Sequence, residues 1–526
     1  MASPPSAGDR RSRGRPQRLP NDASPIASDD YEGNKRLAWL LATNRMLGPK
    51  TRTCTRAEFV AMMKDRGIRI DSSRISRWES GLEYISPTLV EAYETVCGLQ
   101  PAQIGAVRRV LAREGRLLTR SSERNAGSAA PERIDELLDG LESGRIRGDQ
   151  WIWLADQLRR FQSIYLHRRT WQDLADQLVD ELSRSSSIAY LARYEAAAAL
   201  MKSPQAQPYL SKSVGRYVLD PETQVITPVL QVLSEVREPG ASDVVLRLVG
   251  ASNVKLRRSA AIVAAAMIRR GNLAPDHKDL ERQVGRDLLD APGRPSVVTL
   301  DLASRMTDAQ FDRLRRSTKD DRVRATLQQA RANRELVEPE QARLLADHIG
   351  LHAELLCARA AADPDQMLRR LIREALFHVH RSRRHLASAL LLASPYAAAI
   401  GEVVLRLTSH ADERVASPCW SLVGRMTPAI STTELADLVA AETRHELLPR
   451  ATAALMWVGS DLPETGVEAL LRAVHNGSGD AAYAAILTLG LADRQQELAE
   501  IAERGPDHLG PLVRWAAARG PVVTEG

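Results

Sequence analysis

At 526 residues and 44% hydrophobic content the chain is too long for one ordinary core, so two or more domains are expected. No run approaches 18 uncharged apolar residues and the arginine- and proline-rich N-terminus has no apolar stretch behind it, so neither a membrane span nor a secretory leader is expected; the reading is a soluble, unexported, cytoplasmic protein. The formal net charge of +6 is unevenly spread: residues 31–118 hold fifteen Lys/Arg against nine Asp/Glu, while residues 119–526 are almost balanced, the footprint expected of a compact nucleic-acid reader beside a neutral partner domain.

Residues 1–30 are rich in Ser, Pro, Gly and Asp and read as a disordered basic tail. Arg10, Arg11, Arg13, Arg15 and Arg18 have the composition of an arm that enters a minor groove, or of a plain solvated tail. The segment 31–117 then shows five short helical patterns. Lys35 to Leu47 puts Leu37, Leu40, Leu41 and Leu47 on one stripe, and Thr55 to Arg66 buries Phe59, Val60 and Met63 and stops at Gly67.

The central stretch is Asp71 to Gly81. Asp71 is a good N-cap and Gly81 a good residue just past the C-terminus; between them only Ile75 and Trp78 are large and apolar, three residues apart on one face. Ser72, Ser73, Arg74, Ser76 and Arg77 are left on the other face, where small hydroxyls permit close approach and guanidinium groups fork onto phosphate or guanine. At helical spacing from Ile75, Trp78 reads as core and not as a stacking platform. Pro87 to Cys97, with Leu89, Tyr93 and Val96 inward, and Ile104 to Leu111 complete the set.

The run Arg-Ile-Ser-Arg-Trp-Glu-Ser-Gly from Arg74 to Gly81, with Pro87 and its helix downstream, resembles the third and fourth helices of the Cro/repressor-type (Xre) helix-turn-helix family. The resemblance covers residues 34–112 and implies that the third helix enters the major groove of double-stranded DNA. It implies base-edge contacts from Ser72, Ser73 and Arg77, base or backbone contact from Arg74 and Ser76, and a phosphate contact from Arg56. The chain departs from the family pattern in a longer Gly67–Asp71 connection and a longer Gly48–Cys54 loop.

Residues 118–131 read as a flexible polar linker whose composition sets no orientation between the parts. From 132 to 526 the chain is nearly unbroken amphipathic helix, with a division into two subdomains left open. Leu-Ala-Asp-Gln-Leu occurs at Leu154–Leu158 and at Leu174–Leu178, suggesting two antiparallel helices. Asp243–Leu248, Glu402–Leu407 and more loosely Glu468–Arg472 each precede a polar turn and a second apolar helix opening at Asn253, Asp412 or Asp480, with a similar opening at Asp321. This pattern resembles HEAT-type helical repeats, pairs that bury their apolar faces by stacking. The fold expected is therefore all-α: a five-helix helix-turn-helix domain followed by an α-solenoid.

Arg369 to His385 carries six arginines, His378, His380 and His385, and one acid, Glu374. It reads chiefly as a basic solvated face, or one paired with acids on the adjacent repeat, with an anion or nucleic-acid contact as the sharper alternative; neighbouring arginines disfavour a metal. Cys54, Cys97, Cys357 and Cys419 are scattered like reduced thiols, and Trp151, Trp153, Trp171 and Trp457 are spaced like helix core, with a Trp-lined groove in the solenoid as the other reading. No phosphate loop, nucleophile elbow or zinc signature occurs, so no enzyme, cofactor or metal is expected. The resulting expectation is a bacterial, sequence-specific transcriptional regulator, dimeric on two half-sites, with a helical-repeat domain for oligomerisation or for a protein, peptide or small-molecule effector. The other reading is an interaction scaffold tethered to chromosomal, plasmid or phage DNA. In outline the arrangement resembles the peptide-sensing quorum regulators of Gram-positive bacteria, without a motif specific to them.

Overall fold

The computed structural model describes residues 18–118, 131–142, 146–161, 164–290, 293, 295–357, 363–477 and 479–525. Arg10, Arg11, Arg13 and Arg15 of the basic cluster, and 119–130 of the linker, lie outside the described residues. Among those described, regular structure is helical, apart from two isolated bridges joining Ser185 to Val523 and Glu335 to His378.

The five expected N-terminal helices form: α1 (Gly33–Leu47), α2 (Arg56–Asp65), α3 (Ser72–Glu79), α4 (Pro87–Cys97) and α5 (Gln103–Arg113). Local chemistry sets their limits. Thr55 and Glu58 make a reciprocal capping box before α2; Ser86 caps α4, whose first residue is Pro87, and Gly98 ends it in the left-handed region. Phe59, Met63, Ile75, Trp78, Leu89 and Tyr93 meet in one core.

Next come α6 (Pro131–Glu142), α7 (Gly148–Arg160), α8 (Arg168–Ser183), α9 (Ser187–Leu200), α10 (Gln207–Leu219), α11 (Thr227–Leu230), α12 (Pro239–Val249) and α13 (Val254–Arg269). They continue into α14 (Lys278–Asp290), α15 (Val297–Arg305), α16 (Asp308–Ser317), α17 (Asp321–Asn333), α18 (Pro339–Leu356), α19 (Gln366–Phe377) and α20 (Arg381–Leu392). The last group is α21 (Ala397–Leu407), α22 (Glu413–Met426), α23 (Thr432–Ala441), α24 (Leu448–Ala454), α25 (Glu464–Asn476), α26 (Gly479–Leu491), α27 (Gln495–Arg504) and α28 (Gly510–Arg519).

Alternate helices stack into two layers, the helical-repeat solenoid expected. The series α13–α15–α17 and α22–α24–α26–α28 form one layer, α12–α14–α16 and α23–α25 the other, and the pairs α12/α13, α21/α22 and α25/α26 match the repeated sequence cues. Asn253 and Asp412 cap α13 and α22 as expected, whereas α17 is capped by Asp320 and Asp480 lies inside the first turn of α26. The two Leu-Ala-Asp-Gln-Leu helices do not pair with each other as expected: α7 packs on α9 and α8 on α10, because each apolar stripe is filled by the helix two places on.

The array closes on itself. Val523 pairs with the Arg184–Ser185 backbone, Glu525 accepts from the Gly148 N–H at 2.7 Å, and Arg193 ion-pairs with Glu525. Lys255 sits 3.5 Å from the centroid of the Tyr483 ring.

The five-helix unit is built into this array. The leucines of α1 lie on one stripe, yet Arg36, Trp39, Thr43 and Asn44 on the remaining faces are buried too. Trp39 donates its indole N–H to Asp365 at 2.9 Å, and Asn44 donates to the Ala393 carbonyl at 3.0 Å. Arg36 grips Glu374 of α19 bidentately, both contacts 2.7 Å, and donates through Nε to Asp22 at 2.7 Å. Residues 18–30 are likewise not a loose tail where they are described: Asp22 is buried, and Arg370 donates to its carbonyl at 2.8 Å.

The basic stretch 369–385 is therefore not a solvated face. The chain breaks after Phe377 and restarts at Arg381, so His378 and His385 do not share one helical face. Glu374, His378, His380, Arg383 and Arg384 are all buried, and Glu374 is the centre: Arg36, Arg370 and Arg383 converge on it at 2.7–3.0 Å. Glu374, together with buried Asp22 at 2.7 Å from Arg36 and 3.5 Å from Arg370, is what allows three guanidinium groups into the interior.

Candidate nucleic-acid interface

α3 forms over the residues expected, and its ends are fixed by the residues expected. The Asp71 carboxylate accepts the Arg74 N–H at 2.7 Å, and Gly81 takes a left-handed φ of +73° just beyond the last turn. A Cβ on Gly81 would lie 3.0 Å from the Asn34 carbonyl oxygen, so the turn also lets α3 close against the start of α1. Ile75 and Trp78 face the core.

Ser72, Ser73, Arg74 and Arg77 are exposed, and Ser76 is half-buried with its hydroxyl donating to the Ser72 carbonyl at 3.2 Å. Arg77 reaches Glu83 at 2.9 Å, and Arg74 lies 3.9 Å from the same carboxylate while its guanidinium sits 5.3 Å from the Trp78 ring centroid. Arg56, half-buried at the start of α2, lies 3.9 Å from Glu79. Arg66 and Arg69, on the connection into α3, are exposed as well. The surface of α3 thus offers hydroxyl and guanidinium donors outward, with one acidic neighbour able to compete for the arginines.

Two residues with a part in this geometry escape a helix-by-helix reading. Glu79 is buried behind α3, where it accepts from Arg45 of α1 at 2.6 and 2.8 Å and from the Tyr93 hydroxyl of α4 at 3.2 Å. Burial works against the charged Arg45, but Glu79 more than offsets it and raises that group's pKa. This carboxylate ties α3 to two of the helices that carry it. Glu83, the acid facing Arg77, is separated from it in sequence by the glycine turn. The only sequence signal for Glu79 is an acid placed directly after a buried tryptophan, on the inward side of a helix otherwise charged outward.

Among the described residues metal-ligand clusters of His, Cys, Asp or Glu are absent, the four cysteines are free thiols, and no helix is long and apolar enough to cross a membrane.

No protein-family model and no curated protein matches the chain. Among solved structures it is similar to a chain from work on tubulin recruitment and assembly by microtubule polymerases with TOG domain arrays, at 11% identity over 76% of this chain and 100% of that one, TM-score 0.22. It is also similar to Kap121p, at 14% identity over 89% of this chain and 47% of that one, TM-score 0.23. A mutant Kap121p gives 14% identity, 92% and 49% coverage, and TM-score 0.24. The chain spans about half the length of those Kap121p chains, and overlaps this loose support no functional argument.

Proposed function

We propose that the chain is a helical-repeat interaction scaffold that engages double-stranded DNA through α3 of its N-terminal unit. The observation that carries this reading is the way α3 is held: its serine and arginine face is exposed, while α1 behind it is locked to α19 by the buried Arg36–Glu374 pair. A reading helix mounted on that base cannot swing free of the array, so whatever binds α3 is rigidly joined to whatever binds the solenoid. The stacked helices supply the protein-binding surface, and α3 supplies the tether.

The sharper reading, a sequence-specific transcriptional regulator, is favoured by one particular: Arg77 and Arg74 reach outward with Glu83 as their one carboxylate rival among the described residues. An exposed ion pair of this kind contributes at most about 1 kcal/mol, less than a bidentate guanine contact at about 1–3 kcal/mol, so exchange of partner is downhill. The test uses the full chain, with fragments selected from random DNA and scrambled controls, over a salt series. For the regulator, Arg77→Ala costs on the order of 1–3 kcal/mol on selected DNA and erases discrimination. For the scaffold, the same change lowers affinity evenly on all sequences and flattens the salt slope by about one charge. Unchanged affinity, selectivity and salt slope would sink the assignment of α3 as the DNA contact.

A further inference from the structure

Residues of α9, α13, α20, α22 and α24 line a partly open chamber in two parts, of about 420 Å³ and about 170 Å³, which share Arg381, His385, Ser421, Arg425 and Arg450 as walls. Five arginines line the smaller part: Arg258 from α13, Arg381 and Arg384 from α20, Arg425 from α22 and Arg450 from α24. Asp301 is the one acid among its described lining residues, and it is already committed. One carboxylate oxygen accepts from Arg305 at 2.6 Å and the other from the Arg381 backbone N–H at 2.9 Å.

Among the described residues none of these five guanidinium groups has a carboxylate partner. Arg384, buried, donates to the His378 and Val379 carbonyls; Arg425 donates to the Ser388 hydroxyl at 2.8 Å; the buried Nε of Arg381 has no partner. Most arginines next door are handled differently, although Arg334 there donates to the Ser304 carbonyl and meets no carboxylate among the described residues. In the adjoining cavity of about 500 Å³, Arg113, Arg116, Arg269, Arg270 and Arg305 each face a carboxylate at 2.5–2.9 Å. Arg113, Arg269 and Arg270, each with a carboxylate, also line the larger part of the chamber, so the guanidinium groups without a carboxylate are gathered in the smaller part. Burial pushes Arg425 down to about 9, with Arg384 and Arg381 adding to it; it also pushes Arg384 down to about 10, where the Asp301 charge works against the shift and Arg381 adds to it. Arg384 is buried, Arg381 and Arg425 are half-buried, and Arg258 and Arg450 are exposed; the three inner cations repel one another and are stable only if something anionic joins them or if stability is given up elsewhere.

The larger part has another character: Tyr190, Trp420 and Trp457 line it together with several serines, and the one acid among its described lining residues, Glu114, is ion-paired with Arg269 at 2.8 Å. We propose that the chamber binds a small organic phosphate, its two or more negative charges held by Arg381, Arg384 and Arg425 and its aromatic or apolar body against Trp457 and Tyr190. The larger part falls in the size range of ordinary small-molecule sites, and guanidinium forks match phosphate oxygens two at a time. A ligand held there touches α9, α13, α20, α22 and α24 at once, so it would rigidify the middle of the array.

The experiment is thermal unfolding and calorimetric titration of the full chain at fixed ionic strength, with adenosine diphosphate, inorganic pyrophosphate and citrate as probes. The expected result is a saturable rise in midpoint with the two diphosphates, larger for the nucleotide, and little response to citrate. The double variant Arg381→Gln, Arg425→Gln is expected to melt at or above the wild-type temperature without ligand, because like charges have been removed, and to lose the diphosphate response. Arg450→Glu, on the exposed rim, keeps the fold testable if the double variant fails, and is expected to weaken diphosphate binding roughly tenfold or more. A wild-type chain with no saturable diphosphate response, an equal response to citrate, or an Arg450→Glu chain that binds as wild type would each overturn the proposal.

Discussion

At the scale of single residues, the candidate DNA face depends on a side chain that points away from it. Glu79 accepts from Arg45 and Tyr93 in a buried pocket under α3. Truncating it leaves a guanidinium and a phenol without their acceptor, and breaking such a buried pair from one side costs about 3–5 kcal/mol. Glu79→Ala is therefore expected to raise amide hydrogen exchange over residues 72–79 and to weaken DNA retention. Glu79→Gln, which keeps an acceptor, is expected to do less. Equal exchange in wild type and Glu79→Ala would mean that Ile75 and Trp78 alone hold the helix. Sequence spacing locates the outward residues of α3 because a helix of eight residues has only two sides. It does not locate the Arg45–Glu79 clamp, whose members are 34 residues apart.

At the scale of elements, α1 is the joint between the two parts of the chain. Its leucines serve the five-helix core, and Arg36, Trp39 and Asn44 serve the array. A fragment ending at residue 118 exposes that second face, including an indole and a guanidinium that are fully buried in the whole chain. Such a fragment is expected to lack a cooperative thermal transition, and circular dichroism melting beside the full chain checks this. A sharp transition in the fragment would show that α1 docks as an accessory and not as a joint. Burial of a helix on every side is invisible to a one-stripe pattern, since polar residues satisfied by a distant partner look the same as polar residues facing water.

At the scale of the whole molecule, the interior is an arginine-rich one balanced by scattered carboxylates, and it holds three histidines among those arginines. Burial presses His378, His380 and His385 below their ordinary pKa, His380 to about 4, with neighbouring arginines adding to the effect at each. They are neutral in the fold but charge in the unfolded chain below about pH 6.5, so their contribution is complete above that pH and is lost as pH falls toward 4. Each adds a slope approaching about 1.4 kcal/mol per pH unit in that window. The melting temperature is expected to drop from pH 7 to pH 5 with proton uptake on unfolding. His378→Asn with His385→Gln is expected to flatten the profile, and an unflattened profile would assign the acid sensitivity to other groups.

What the sequence determined by itself is local: five N-terminal helices and their caps, the outward serine and arginine face of α3, and repeated helix pairs, all set by interactions within one or two turns. Only the tertiary structure decided that α7 pairs with α9, that residues 18–30 pack beneath the first helix, and that the 369–385 stretch is an interior network closed by Arg36. The physical reason is distance along the chain. A charge is solvated or buried according to whether a partner more than 300 residues away arrives beside it, and no periodicity records that meeting.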